Sequence, residues 1–525
     1  MSMNMQHHAK NQESRGLYNS KTVVGNFVAL GSSEVLARLI GFAATIYLTR
    51  VLGPEGFGVI GFAAALVAYF SLGVSAGFND VGAREVARQP HEATSIALSV
   101  IVVRLALATV SLVALVGIAY LLDKPLSVKL VTVSTGLLLF ASAVDTSWVY
   151  KGLERTHIVG LTMVLAQALY LGITVLIVQG PTDVLLAPIA QFLGELGAAL
   201  LLAGILFHRG GEKFALHRGF TILIQSGFLL LTKLGRTMIF CFDVVLIGFL
   251  LGEREVGLYT AAYRFCFLPL AIAAALQMAY LPAFARAADR GKEPMVVLVN
   301  RSFEMSAALS FPMMIGGWLL AKPLLYTLYG AAFIQAEEAF RLLLISIGLI
   351  FFYGAVHNVL LACHKLRVGM YIVATGAGLN TVLNLLLVPS LGLLGAALVM
   401  VATESMILAI GFLVLWKLGI RFNLQPLLRP CLAAGVMGAG LVVLGSGHHL
   451  VVVLTVGFLV YVSTLLIFRG VPQDALPYLR TRMFPGSMRG ISLSSVATTE
   501  IGSQRECSVH SSAKAPFDHR PLKRG

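Results

Sequence analysis

Charge is the scarcest property of this sequence. Asp, Glu, Lys and Arg make up 12% of its 525 residues, against 57% hydrophobic and a mean hydropathy of +0.84. A soluble domain carries about 25% charged residues, so water is excluded as the main solvent. Cysteine is also sparse. Cys241, Cys266, Cys363, Cys431 and Cys507 show neither pairing nor metal-ligand spacing, which excludes a disulfide framework and a zinc site. P-loop, HExxH and CxxC patterns are missing as well, and with them the commonest nucleotide, metalloprotease and redox chemistries. The first apolar segment exceeds a signal-peptide core and no small-residue cleavage site follows it, so an uncleaved first helix is expected.

Long apolar runs are what the chain has instead. Each run is long enough to cross about 30 Å of hydrocarbon as a helix. A transmembrane barrel would alternate apolar and polar residues, and these runs are continuous. The fold class is therefore an all-α polytopic membrane protein with about fourteen transmembrane helices. With the N-terminus inside, fifteen Lys and Arg from Arg84 to Arg429 occupy one set of loops, and only Arg50, Lys124, Lys129, Arg254 and Lys322 the other. That asymmetry places both termini in the cytoplasm of the cell membrane. It also accounts for most of the net charge of +14, so no nucleic acid partner is implied.

The chain repeats itself. Leu52–Gly58 (LGPEGFG) and Leu251–Gly257 (LGEREVG) end the first and seventh helices 199 residues apart, and the helices entered after Arg155 and Arg367 correspond at an offset of 210. Six helices are thus repeated in parallel. The organisation reads as an N-terminal tail 1–22, a six-helix lobe 23–218, a second lobe 219–417, two further helices within 427–468, and a basic cytoplasmic tail 469–525 expected to be disordered.

Ionisable residues inside spans are costly and mark function or partners. Arg38 and Arg236 lie 198 residues apart, near the middles of the first and seventh helices. With Arg264, Lys233 and Arg104 they make up a candidate cationic lumen that would bind an anion. Helical spacing sets Lys233, Arg236 and Asp243 on one side of their helix, expected to line that cavity. Glu34, one turn from Arg38, is placed to neutralise it. Glu195 and Glu404, 209 residues apart, are read either as coupling sites or as helix-packing groups, and Asp145 as a titrating group with His357 as its counterpart; a lone His there is read in preference as a satisfied core residue. Pro269, Pro282 and Pro312 are expected to interrupt or end helices. Gly73–Gly77 (GVSAG) fits a nucleophile-elbow pattern but sits at the end of an apolar helix, so no catalytic residue and no enzyme is read.

At Arg50–Val59 (RVLGPEGFGV), Gly82–Ala87, Trp148–Arg155 and Leu391–Ala397 the chain resembles the polysaccharide transporter family, the O-antigen flippase-like branch of the multidrug/oligosaccharidyl-lipid/polysaccharide (MATE-like) exporter superfamily. The resemblance runs from the first helix to Arg482. It implies two six-helix bundles in a V that open alternately to either side of a bacterial inner membrane. It implies that an undecaprenyl-pyrophosphate-linked oligosaccharide is carried outward for O-antigen, capsule or exopolysaccharide synthesis, with Arg38, Arg236 and Arg264 on the cationic lumen. The alternatives are a peptidoglycan lipid-precursor flippase, a MATE-type drug or metabolite antiporter, and a membrane polymerase, for which the outside loops are too short. No cofactor is expected; a coupled cation (proton or sodium) or the membrane potential would reset the cycle. The expected partners are the lipid-linked glycan, membrane lipids, a polysaccharide polymerase and glycosyltransferases.

Overall fold

The computed structural model describes residues 20–75, 77–208, 216–444, 449–468 and 470, with side chains from residue 30 onward except at 216–217 and 228–229. The tails expected at 1–22 and 469–525 fall almost wholly outside these residues, as does His448. Everything described is helix or short connection. The N-terminal half holds α1 (Ser20–Ser75), α2 (Phe78–Arg88), α3 (Ala93–Leu121), α4 (Leu126–Gly136), α5 (Leu138–Val144), α6 (Ser147–Gly152), α7 (Thr156–Ile177) and α8 (Leu186–Phe207). The C-terminal half holds α9 (Leu216–Leu250), α10 (Glu253–Phe267), α11 (Leu270–Arg290), α12 (Lys292–Leu319), α13 (Ala321–Tyr329), α14 (Glu337–Ala362) and α15 (Leu366–Lys417), followed by α16 (Leu428–Leu444) and α17 (Leu450–Ile467).

Among the described residues ten helical stretches are long and apolar enough to cross a membrane, or eleven if α12 and α13, bent by 80°, form one broken span. This is fewer than the expected fourteen, partly because α1 and α15 each hold two helices joined at a kink. The kinks fall at Gly53 (φ 68°, ψ −177°) and Gly392 (φ 57°, ψ −134°). Both conformations lie in the left-handed half of backbone space, where a Cβ would clash. Pro269 does end a helix, at the α10/α11 junction. Pro282 and Pro312, by contrast, stay inside α11 and α12. Proline removes one backbone bond there, a loss that neighbouring helices in a bundle can absorb.

The same local geometry recurs at equivalent places in the two halves. Gly252 (φ 97°, ψ 179°), 199 residues after Gly53, repeats its backbone conformation. Among the described residues, Glu154 (φ 59°) and His364 (φ 55°) are the non-glycine residues with positive φ, 210 residues apart. Each ends a helix with a Schellman cap, in which the next N–H bonds back five residues: Arg155 N to Tyr150 O at 2.8 Å and Lys365 N to Leu360 O at 2.7 Å. Large apolar side chains such as Leu121, Ile224 and Val443 stand exposed, as they do when lipid is the solvent.

The cap at His364 makes a local prediction. A β-branched residue is strained in the left-handed region by about 1–2 kcal/mol, so His364→Val should lower the thermal unfolding temperature in detergent while His364→Asn and His364→Gly should not.

Candidate functional site

The basic residues inside the spans solve the problem of their own burial in different ways. Arg38 Nη2 lies 2.8 Å from Glu34 Oε1 one turn below it on α1, and both side chains stay partly accessible. Arg236 on α9 reaches across to α15, its Nη1 2.9 Å from Glu404 Oε1, a carboxylate of zero exposure. Its guanidinium also stands over the rings of Phe240 at 5.6 Å and Tyr353 at 5.3 Å. Lys233 Nζ leaves the C-terminal half altogether and pairs with Asp80 Oδ2 of α2 at 2.7 Å.

Two of the five candidate cations have no carboxylate partner. Arg104 of α3, 1% exposed, donates from Nε to Val74 O at 2.8 Å and from Nη1 to the Asp145 carbonyl at 3.2 Å. These carbonyls end α1 and α5, where the helix dipole is negative. Arg104 therefore ties two helix ends together inside the N-terminal half. Arg264 of α10 is half-buried between the halves: its Nη1 donates to Thr45 Oγ1 of α1 at 3.2 Å, and the Phe57 ring lies 5.2 Å from its guanidinium carbon.

The expectation that Lys233, Arg236 and Asp243 line one cavity is corrected. One face of a 35-residue helix meets different neighbours along its length. At Asp243 that neighbour is α10: the carboxylate, 1% exposed, accepts a 2.5 Å bond from the Tyr259 hydroxyl and a 2.8 Å bond from the Val244 N–H. Desolvation of a carboxylate is costly unless such bonds satisfy it.

Glu195 and Glu404 occupy equivalent positions but not equivalent surroundings. Glu404 holds Arg236, whereas Glu195 accepts only from Gln191 Nε2 at 2.8 Å. Glu195 lines a cavity of about 380 Å³ within the N-terminal half, together with Asn79, Arg104, Asp145 and Lys151. Asp145 itself closes a turn at the start of α6 by accepting from the Ser147 N–H at 3.0 Å and hydroxyl at 2.7 Å. His357 is exposed on α14 and so is not a core residue.

Contacts between the halves come at both ends of the helices. At the end carrying Gly53, Lys124 Nζ bonds Glu253 Oε1 at 2.9 Å and Gly248 O at 2.6 Å, and Arg50 donates to the Leu328 carbonyl at 2.9 Å and to the Thr327 carbonyl. At the opposite end Lys233 meets Asp80 and Arg218 meets Glu92. Sequence reading took Lys124 and Arg50 only as loop charges. It also missed Asn380, whose Nδ2 reaches Thr403 Oγ1 at 3.2 Å, and Asn384, whose Nδ2 bonds Asn380 Oδ1 at 3.0 Å. Two Asn one turn apart in an apolar run were the available signal.

Comparison with known proteins gives concordant matches. The model of the family described as "Polysaccharide biosynthesis protein" matches residues 23–288, and that described as MatE matches residues 229–386. A putative O-antigen transporter of Escherichia coli (strain K12) is 24% identical over 383 residues, 69% of this chain and 89% of that protein. A probable flippase, AglR, of Haloferax volcanii is 24% identical over 389 residues, 70% of this chain and 78% of its own. Among solved structures, the lipid II flippase MurJ in an inward closed conformation superposes with a TM-score of 0.70 at 14% identity, over 87% of this chain and 100% of that one. An inward-facing multidrug resistance MATE family transporter of the MOP superfamily gives 0.57 at 18% identity, over 73% and 94%. At these identities the structural matches speak for the fold.

The Arg236–Glu404 pair can be tested apart from any cargo. Removing one partner of a buried pair costs about 3–5 kcal/mol, whereas replacing both by apolar groups is often neutral. Glu404→Leu should therefore lower thermal stability markedly, and Arg236→Met combined with Glu404→Leu should recover most of it.

Proposed function

We propose, from the premise that this chain belongs to the polysaccharide biosynthesis protein family and is a membrane transporter rather than an enzyme, that it flips a polyprenyl-pyrophosphate-linked saccharide from the cytoplasmic to the periplasmic leaflet of a bacterial inner membrane. The observation that carries this reading is Arg264. It is half-buried between the two halves and bonded to a hydroxyl and a ring face, with no carboxylate within ion-pair distance among the described residues, so its charge is available to an anion. A pyrophosphate leaving water needs such a partner. Arg38, whose pairing with Glu34 is partly exposed, would join it by exchanging a carboxylate for the incoming phosphate. Arg236 and Lys233, already paired, would set the electrostatic background, and Arg104 would hold helix ends.

In this reading residues 23–218 and 219–417 are two lobes of a fourteen-crossing, V-shaped bundle, 427–468 flank it, and both termini face the cytoplasm. The recurring geometry at Gly53 and Gly252 and at Glu154 and His364 supports the repeat. Glu195, Glu404, Asp145 and Asp243 are candidates for coupling a cation, proton or sodium, with the membrane potential as the alternative drive. A polymerase and glycosyltransferases would act on the same cargo on either side.

Two cargoes fit this chemistry. The fold likeness to the lipid II flippase, at a TM-score of 0.70, favours the peptidoglycan lipid precursor. The O-antigen transporter relatives keep the polysaccharide repeat unit in contention. A MATE-type antiporter of organic cations is the third reading, and an unpaired Arg264 disfavours it.

Reconstituted vesicles tested with each fluorescent lipid-linked cargo would separate these readings. Wild-type protein should flip at least one of the pyrophosphate-linked saccharides. Arg264→Gln should lose most of that activity at unchanged protein level, and Arg38→Gln should lose less. Flipping undiminished in Arg264→Gln would remove the anion-site reading, and transport of organic cations alone would replace it with the antiporter.

A further inference from the structure

The repeated words LGPEGFG and LGEREVG share glycine at their second and last positions, and the structure gives these two glycines of each word different work. The first of each, Gly53 and Gly252, supplies the left-handed break that turns the chain. The last, Gly58 and Gly257, lies five residues beyond its break, on helices that belong to opposite halves. There the backbones meet. A methyl group on Gly58 would lie 1.7 Å from the Glu253 carbonyl oxygen, and one on Gly257 would lie 1.8 Å from the Pro54 carbonyl oxygen. The contact is reciprocal, each glycine facing the first turn of the other's helix. No side chain of any size fits at either position while the halves stay together.

We infer that the reciprocal contact of Gly58 with Gly257 is the seal at the outer end of the transport path, and that Lys124 is one of the side chains that keep it shut. Calling that end outer rests on the proposed orientation; the contact itself does not. Backbone contacts of this kind are individually weak, so the glycines make a close fit without making it hard to reopen. Polar bonds across the halves hold the seal, from Arg50 to the Leu328 carbonyl and from Lys124, which reaches from the N-terminal half to Gly248 O, at the end of α9, and to Glu253, in the first turn of α10. At 13% exposure Lys124 is shielded from salt. The ion pair Lys233–Asp80 at the opposite end is 42% and 52% exposed, and pairs so open to water contribute little. The opposite end is closed by contacts of its own, with Arg218 paired to Glu92 beside it and Gly219 packed close to the Ser99 carbonyl.

Pulsed electron paramagnetic resonance in lipid nanodiscs reads this directly and without cargo. Spin labels go on Asp123→Cys and Tyr326→Cys, exposed outer positions in the two halves, with the five native cysteines replaced by alanine. Gly58→Ala and Gly257→Ala should each shift the distance distribution to longer values. Gly73→Ala, on the same helix as Gly58 with open space around it, should leave it unchanged. Lys124→Gln, which introduces no clash, should also populate the longer distances, and it decides the matter if the glycine variants do not fold. Distributions identical to wild type in folded Gly58→Ala, or in Lys124→Gln where the glycine variants are lost, overturn the seal. Because the readout needs no cargo, failure of the flippase reading would appear only in the vesicle assay.

Discussion

A charge carried into hydrocarbon must find a partner or stay in contact with water, and the arrangement of this protein follows from how its few internal charges meet that demand. Arg38 is satisfied one turn away on its own helix. Arg236 draws α9 and α15 together through Glu404. Lys233 joins the two halves through Asp80, and Arg104 fastens two helix ends inside the N-terminal half. Asp243 is satisfied without any cation, by the Tyr259 hydroxyl and a backbone N–H. What remains is Arg264, held by a hydroxyl and an aromatic face. In the proposed reading, a site for an anion is defined less by the number of basic residues than by which of them the fold leaves without a counter-charge.

The second constraint is steric. Two helices whose backbones touch bring the halves closer than side chains would permit, and small residues are the usual means of such packing within membranes. Gly58 and Gly257 provide it at the end where Lys124 and Arg50 also cross between the halves. Those two cations come from the sparsely charged set of loops, and both reach helix-terminal carbonyls of the C-terminal half. A transporter that opens alternately at its two ends needs contacts that are specific yet separable. Close backbone fit joined to a few shielded polar bonds has that character.

Sequence symmetry and structural symmetry part company at the glutamates. Glu195 and Glu404 sit 209 residues apart in matching helices, yet one faces a cavity with Gln191 as its sole hydrogen-bond donor and the other is closed over by Arg236. Matching positions along the chain do not guarantee matching electrostatics, because the neighbours that pack against them differ. Arg38, the sequence counterpart of Arg236, pairs with Glu34 on its own helix and not with Glu195.

The apolar runs, the scarcity of charge and the parallel repeat were all legible in the sequence, because span length, loop charge and motif offset are properties of the chain read along its length. Even the special glycines showed themselves there as repeated words. At Glu34 and Arg38 the sequence also named a pairing that the structure shows, since a partner one helical turn away is a local matter. It could not tell that Lys233, Arg236 and Asp243, on one helical face, would meet three different surroundings, or that Arg104 would serve helix ends while Arg264 kept its charge free. Those outcomes depend on which helix lies alongside at each depth, and contacts between residues more than a hundred positions apart are decided only when the helices pack.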